Sequence, residues 1–246
     1  MKILAEYRYD GIYHLEVEFR GKKGIALMAE DKSRRNGKAV LKTEYFGAFP
    51  ELQNEFVRRG YTLLFIENRN RWGTPCEIED QYEFVRYITG ELGIECGVIT
   101  LGMSCGGMMS VLLAAKHPEI IKGLYIDAPV MNFLSCPARL GNAPDVTDGM
   151  WQEFEIAWGM TKSELLTFRG HPIDYFPKLI ENKIKIYMAY GDCDKTVPYE
   201  ENGIALERAY KEAGLDSLLY IDKKAGVDHH PHGPSDIDFA IKYFEK

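Results

Sequence analysis

Residues 97–106 read Gly97-Val98-Ile99-Thr100-Leu101-Gly102-Met103-Ser104-Cys105-Gly106, and a run ending at His117-Pro118 follows them. The first five residues form a short apolar run, which reads as a buried strand. Residues 108–117 read as a helix, stopped by Pro118. The chain must therefore turn from strand to helix within a few residues. A turn this tight pushes its central residue, Ser104, into a sparsely populated backbone conformation, at a cost of about 1–3 kcal/mol. Glycine at 102 and 106 removes side chains that would collide as the backbone folds on itself. The Ser104 hydroxyl is then presented at the end of a strand and at the amino end of a helix, where developing negative charge is favoured. The blander reading is a glycine-rich turn with an incidental serine. The rest of the chain decides between the two.

Working outward, short β-rich runs alternate with amphipathic stretches. Residues 12–19 (IYHLEVEF) alternate as a half-buried strand, with 24–29 as the hairpin partner. Residues 38–43 (KAVLKT) and 61–66 (YTLLFI) read as further strands, with helical stretches at 50–59 and 77–92. Downstream, 122–126, 184–190 and 217–221 read as strands and 235–244 as the last helix. Pro198 is expected to open a helix at its first turn, with Glu200 and Glu201 suiting the positive helix end. This alternation implies a mainly parallel sheet covered on both faces, with an antiparallel edge. Such sheets bind ligands at the carboxyl ends of their strands.

One segment breaks the rhythm. Between Asp127 and Ile184 no convincing strand is found, and 131–149 is loop-like. Trp151, Phe154 and Trp158 then recur at helical spacing. We read about 130–180 as a small helical insertion, its aromatic stripe packing onto the body, with one edge able to roof a pocket. The expected organisation is a single domain, 1–246, carrying this cap.

The chain has 246 residues, 46% hydrophobic and 27% charged, enough for a large core. Its net charge of −7 and the absence of a basic stripe argue against nucleic acid as a partner. The basic cluster Lys32, Arg34, Arg35 and Lys38 reads as a solvated turn. No run suits a membrane span, and the apolar run 3–5 is too short for a signal peptide. The five cysteines (Cys76, Cys96, Cys105, Cys136, Cys193) form no CxxC pair. Reduced thiols in a cytoplasmic protein are expected, with no metal and no cofactor.

A serine nucleophile needs a base, and the base an orienting acid. After strand 184–190 comes Gly191-Asp192-Cys193-Asp194-Lys195-Thr196-Val197-Pro198. After 217–221 comes Ala225-Gly226-Val227-Asp228-His229-His230-Pro231-His232-Gly233. With GMSCG, these segments run in the order serine, acid, histidine. From about Tyr13 to Phe244 the chain resembles the α/β-hydrolase superfamily, and within it is similar to bacterial prolyl-oligopeptidase-like and acyl-esterase groups. The resemblance implies a mostly parallel eight-stranded sheet and a triad of Ser104, Asp194 and His229. Asp192 and Asp127 compete for the acid, and His230 and His232 for the base. A metal site on the histidine run is the rival reading; it needs ligands that no other His or Cys cluster obviously supplies. The oxyanion hole is expected from the N–H of Cys105 and one from Tyr45 or Phe46, where many relatives carry His-Gly and this chain does not. Cys105 itself lies one residue past the exposed position and reads as structural. Met103, Trp72 and Trp151 are expected in a substrate pocket. Arg69 and Arg71 follow a strand, where they could meet a carboxylate or simply face solvent.

The expected activity is hydrolysis of small carboxylic esters, acylated sugars among them on resemblance alone. A peptidase acting on short or acylated peptides is the enzymatic alternative, and a catalytically inactive binding protein the non-enzymatic one. The partner expected is a small-molecule ester, with homodimerisation left open.

Overall fold

The computed structural model describes residues 1–229 and 232–246. Strands β1 (Lys2–Tyr9), β2 (Ile12–Phe19), β3 (Lys22–Ala29), β4 (Ala39–Lys42), β5 (Thr62–Ile66), β6 (Val98–Met103), β7 (Ile121–Asp127), β8 (Ile186–Gly191) and β9 (Leu219–Lys224) pair in one sheet, in the order β1-β2-β3-β5-β4-β6-β7-β8-β9. The β1–β2, β2–β3 and β3–β5 pairs are antiparallel, and the pairs from β5 through β9 are parallel. The central strands β4 to β7 are buried almost throughout, as expected of a sheet covered on both faces.

The helices are α1 (Glu51–Arg58), α2 (Pro75–Leu92), α3 (Cys105–Lys116), α4 (Asp148–Trp158), α5 (Lys162–Leu165), α6 (Phe176–Glu181), α7 (Gly203–Glu212) and α8 (Ile237–Glu245). On one face of the sheet, Leu52, Phe56 and Val57 of α1 and Ala240 and Ile241 of α8 close a core over Leu63, Tyr125 and Tyr187. On the other face a larger core joins α2, α3, α6, α7 and the segment between β7 and β8. Helix α3 is buried nearly all round, which its uniformly apolar composition anticipates.

Two expectations are corrected. The sheet has nine strands among the described residues rather than eight, because β1 adds to the edge. Nearly all of β1 is exposed, so its sequence carries no burial period. Pro198 does not open a long helix. It precedes a short 3-10 turn, Tyr199–Glu201, and α7 starts at Gly203 beyond Asn202. The Asn202 side chain is committed elsewhere, accepting from the N–H groups of Met131 and Asn132 and donating to the Pro198 carbonyl. It ties the start of α7 to the segment after β7.

In that segment Phe154 is fully buried against Trp72, Phe133, Trp151 and Trp158. The stripe is packing, as read from its spacing. The Trp158 indole also donates to the Trp72 carbonyl at 2.9 Å, fastening α4 to the loop after β5. No helix of the described residues is long and apolar enough to cross a membrane.

Candidate active site

Ser104 sits between β6 and α3 with φ 52° and ψ −119°. A non-glycine residue held here is strained, and the surroundings must enforce the conformation. The Ser104 N–H donates to the Asp127 carbonyl at 2.8 Å, and its own carbonyl accepts from Met108 and Val130. Beneath it, the Thr43 hydroxyl donates to the Gly106 carbonyl at 2.7 Å. A Cβ at Gly102 would lie 2.3 Å from that same carbonyl oxygen and 2.6 Å from the Ser110 hydroxyl. The glycine at 102 is therefore required by close approach of backbone to backbone.

Asp194 follows β8. One carboxylate oxygen accepts from the N–H groups of Thr196 and Val197, both at 2.8 Å, which fixes the carboxylate before it meets any partner. The other oxygen is 2.8 Å from His229 Nδ1, and His229 Nε2 is 3.1 Å from Ser104 Oγ. The loops carrying Asp194 and His229 are laced together: Cys193 N–H donates to the Val227 carbonyl, and Lys195 N–H and His229 N–H both donate to the Asp228 carboxylate. A serine hydroxyl, an imidazole and a buried carboxylate in this chain of contacts can pass a proton from oxygen to nitrogen and stabilise the resulting cation.

The competing acids have other tasks. Asp192 accepts from Gly226 N–H and pairs with Lys223, tying the loop after β8 to the end of β9 and the turn that follows it. Asp127, at the end of β7, holds His232 Nδ1 at 2.9 Å and accepts from Gly233 N–H and the Tyr125 hydroxyl. Burial pushes the Asp127 carboxyl up, but the hydrogen bond and charge of His232 and the Gly233 N–H outweigh it and hold its pKa below the ordinary value. The two rings, His229 and His232, meet edge to face at 4.9 Å. Two Asp–His pairs thus fasten one loop from two neighbouring strands. The His230 alternative lies outside the described residues. Among those described, no group of three or more His, Cys, Asp or Glu is arranged to hold a metal ion.

A cavity of about 270 Å³ opens over Ser104. Met103, Trp72, Tyr45 and Cys105 line it, together with His229. Burial pushes the Cys105 thiol up to about 11, so it is protonated at neutral pH and no match for a thiolate nucleophile. Two expected residues are not at the cavity. Phe46 packs its ring on Phe65 at 4.9 Å in the opposite core, because the positive φ of Tyr45 (54°) sends successive side chains apart. Trp151 lies on the buried face of α4 with Phe154, three positions on; its neighbour Met150, rotated about 100° around the helix, lines the cavity instead. The Tyr45 N–H is engaged by the Glu44 carboxylate at 3.2 Å. Ala48, Phe49, Arg71, Cys136, Thr196 and His232 complete the lining. Of these, Thr196 was signalled by its place in the acid loop and Arg71 by its place after a strand. Cys136 comes from the irregular segment, where sequence carries no positional period, and Met150 from α4, one position off its apolar stripe.

Sheet order, strand-end site and the Ser104 turn define an α/β-hydrolase-fold protein. Residues 49–157 match the family model described as alpha/beta hydrolase fold. Three solved structures share the architecture. A chain assigned as dipeptidyl aminopeptidase IV from Bacteroides ovatus superposes with a TM-score of 0.69 at 15% identity, over 96% of this chain but only 36% of its own. Est1E from Butyrivibrio proteoclasticus gives a TM-score of 0.65 at 17% identity, over 95% of this chain and 99% of its own. A fungal esterase from Rhizomucor miehei gives 0.68 at 15% identity, over 98% and 82%. No curated protein matches the chain by sequence.

Two predictions follow from this packing. Gly102→Ala should destabilise the protein by about 1–3 kcal/mol through overpacking. Gly149→Ala, in α4 with only the Thr147 hydroxyl at 3.6 Å, should be neutral or stabilising by up to about 1 kcal/mol. Urea denaturation of both variants measures the contrast, and equal effects would contradict it. For Asp127→Asn the sign follows from a depressed native pKa: the carboxylate's contribution is present above the unfolded value of about 4 and is lost as pH falls through the native one. The variant should therefore be least stable relative to wild type at neutral pH, with the gap closing in acid. A gap that widens below pH 4 would contradict the assignment.

Proposed function

We propose that this protein is a serine hydrolase acting on small carboxylic esters through an acyl-enzyme. The observation that carries the reading is the continuous chain from Ser104 Oγ through His229 to Asp194 at the floor of a small, mostly apolar cavity. His229 takes the hydroxyl proton as Ser104 attacks the ester carbonyl. Asp194, pinned by two backbone N–H groups, orients the imidazole and stabilises its cation. His229 then protonates the departing alkoxide, and in the second half-reaction it activates the water that releases the acid.

The oxyanion needs donors aimed at the position where charge develops. Cys105 is the first residue of α3, so its N–H has no partner within the helix and is suited to this role. Of Tyr45 and Phe46, only Tyr45 reaches the cavity. With its N–H given to Glu44, its hydroxyl is the donor we assign. Burial raises the pKa of that phenol well above its ordinary value and keeps the proton in place. Residues 130–180 serve as a cap within one domain spanning 1–246, with Cys136 and Met150 closing the cavity. The esterases among the structural neighbours support ester over peptide bonds as the target.

A fluorophosphonate probe should label wild type and fail to label Ser104→Ala. Hydrolysis of p-nitrophenyl acetate should fall by about 10³-fold or more in His229→Ala, and by about 10²-fold in Tyr45→Phe through kcat. Labelling retained in Ser104→Ala would sink the reading. Turnover of aminoacyl amides in preference to esters would move it to the peptidase alternative.

A further inference from the structure

Of the two arginines after β5, the structure separates them. Arg69 leans outward toward Glu77 and Asp80. Arg71 lines the cavity beside Ser104 and Tyr45, and among the described lining residues it is the one Lys or Arg. Its position is built. The guanidinium carbon lies 5.2 Å over the Trp72 ring, and Nε and Nη2 grip one Glu153 oxygen at 2.8 and 2.7 Å. The Tyr45 hydroxyl takes a further contact, and the remaining donors of the five-donor fork are committed to neither group. Trp72, on the same wall, carries a buried indole N–H without an acceptor among the described residues. Apolar Phe49, Met103 and Met150 also line the cavity. A cation with spare donors in such a cavity is a receptor for a compact anion, and the planar fork suits a carboxylate.

Resting on the hydrolase reading, we infer that Arg71 selects esters that carry a carboxylate, such as half-esters of dicarboxylic acids or esters of acidic alcohols. The protein's net charge of −7 would otherwise disfavour such substrates, so a local cation is what makes them acceptable. Burial opposes the charge on Arg71, but the Tyr45 hydroxyl and the Glu153 carboxylate beside it outweigh burial and keep the guanidinium protonated. Glu153, on the exposed side, competes for the same cation and tunes its strength.

The test compares kcat/KM for mono-p-nitrophenyl adipate with that for p-nitrophenyl hexanoate, corrected for spontaneous hydrolysis. The charged-to-neutral ratio should fall at least about tenfold in Arg71→Met, chiefly through KM, the loss expected for one charge-assisted contact. Arg71→Lys should recover part of the ratio, since it keeps the charge without the fork. Glu153→Gln should raise it by removing the competing carboxylate. If Arg71→Met lowers both esters equally, or leaves the ratio unchanged, the selectivity is overturned while the hydrolase reading stands. If wild type cleaves neither ester, the hydrolase reading fails and the selectivity with it.

Discussion

Ser104 is held in a backbone conformation that a free serine would rarely adopt, and the centre of the molecule is arranged around keeping it there. Its N–H is tied to the end of β7 and its carbonyl to both α3 and the start of the segment after β7. These ties require β6 and β7 to be parallel neighbours in register, with Met103 opposite Asp127. They also require α3 to start without a single spare residue. Gly102 lets the helix backbone descend onto the strand, and Thr43 at the end of β4 bonds the Gly106 carbonyl from the other side. Three parallel strands thus converge on one residue, and strain of a few kcal/mol is affordable only inside a core of that size.

The same logic extends along the sheet. Asp127 and Asp194 follow adjacent strands, and each holds a histidine from one loop. Either aspartate could orient a base in principle, and the sequence favours Asp194 only through the Val-Pro that follows it. The structure separates them by what surrounds each carboxylate. Asp194 has one oxygen satisfied by backbone and the other directed at the imidazole that reaches Ser104. Asp127 spends its oxygens on Tyr125, Gly233 and His232 within the core. The second pair fastens the far side of the loop, so that His229 is approached from both flanks rather than hanging from a single hydrogen bond.

This division explains what was legible in the sequence. The turn at 102–106 was readable because it needs particular residues at particular spacings, and Asp194 was readable because the x-x-Val-Pro that follows it sets its carboxylate against two N–H groups. The central strands were readable from continuous apolar runs. β1 was not, because an edge strand exposed on both faces obeys no burial period. Phe46 and Trp151 were misplaced for a different reason. Proximity in sequence put them near the site, but a left-handed residue in one case and a 100° helical rotation in the other turned their side chains into the core. Composition can nominate such neighbours, but only the local dihedral decides between them.

The segment after β7 shows how an irregular stretch can be as well determined as a strand. Four kinds of bond hold it: the Asn202 amide at its start, the Phe154 cluster on its inner face, the Trp158 indole on the Trp72 carbonyl, and the Arg71–Glu153 pair at its rim. The first two are buried and the third half-buried, and they leave little to adjust. The last is partly exposed, so it contributes little to stability, on the order of 1 kcal/mol or less. A weak, solvent-facing pair joining α4 to the loop after β5 beside the cavity can exchange partners at small cost, whereas the buried ties cannot. The fold therefore concentrates its rigidity beneath Ser104 and leaves the Arg71–Glu153 pair at the cavity free to adjust.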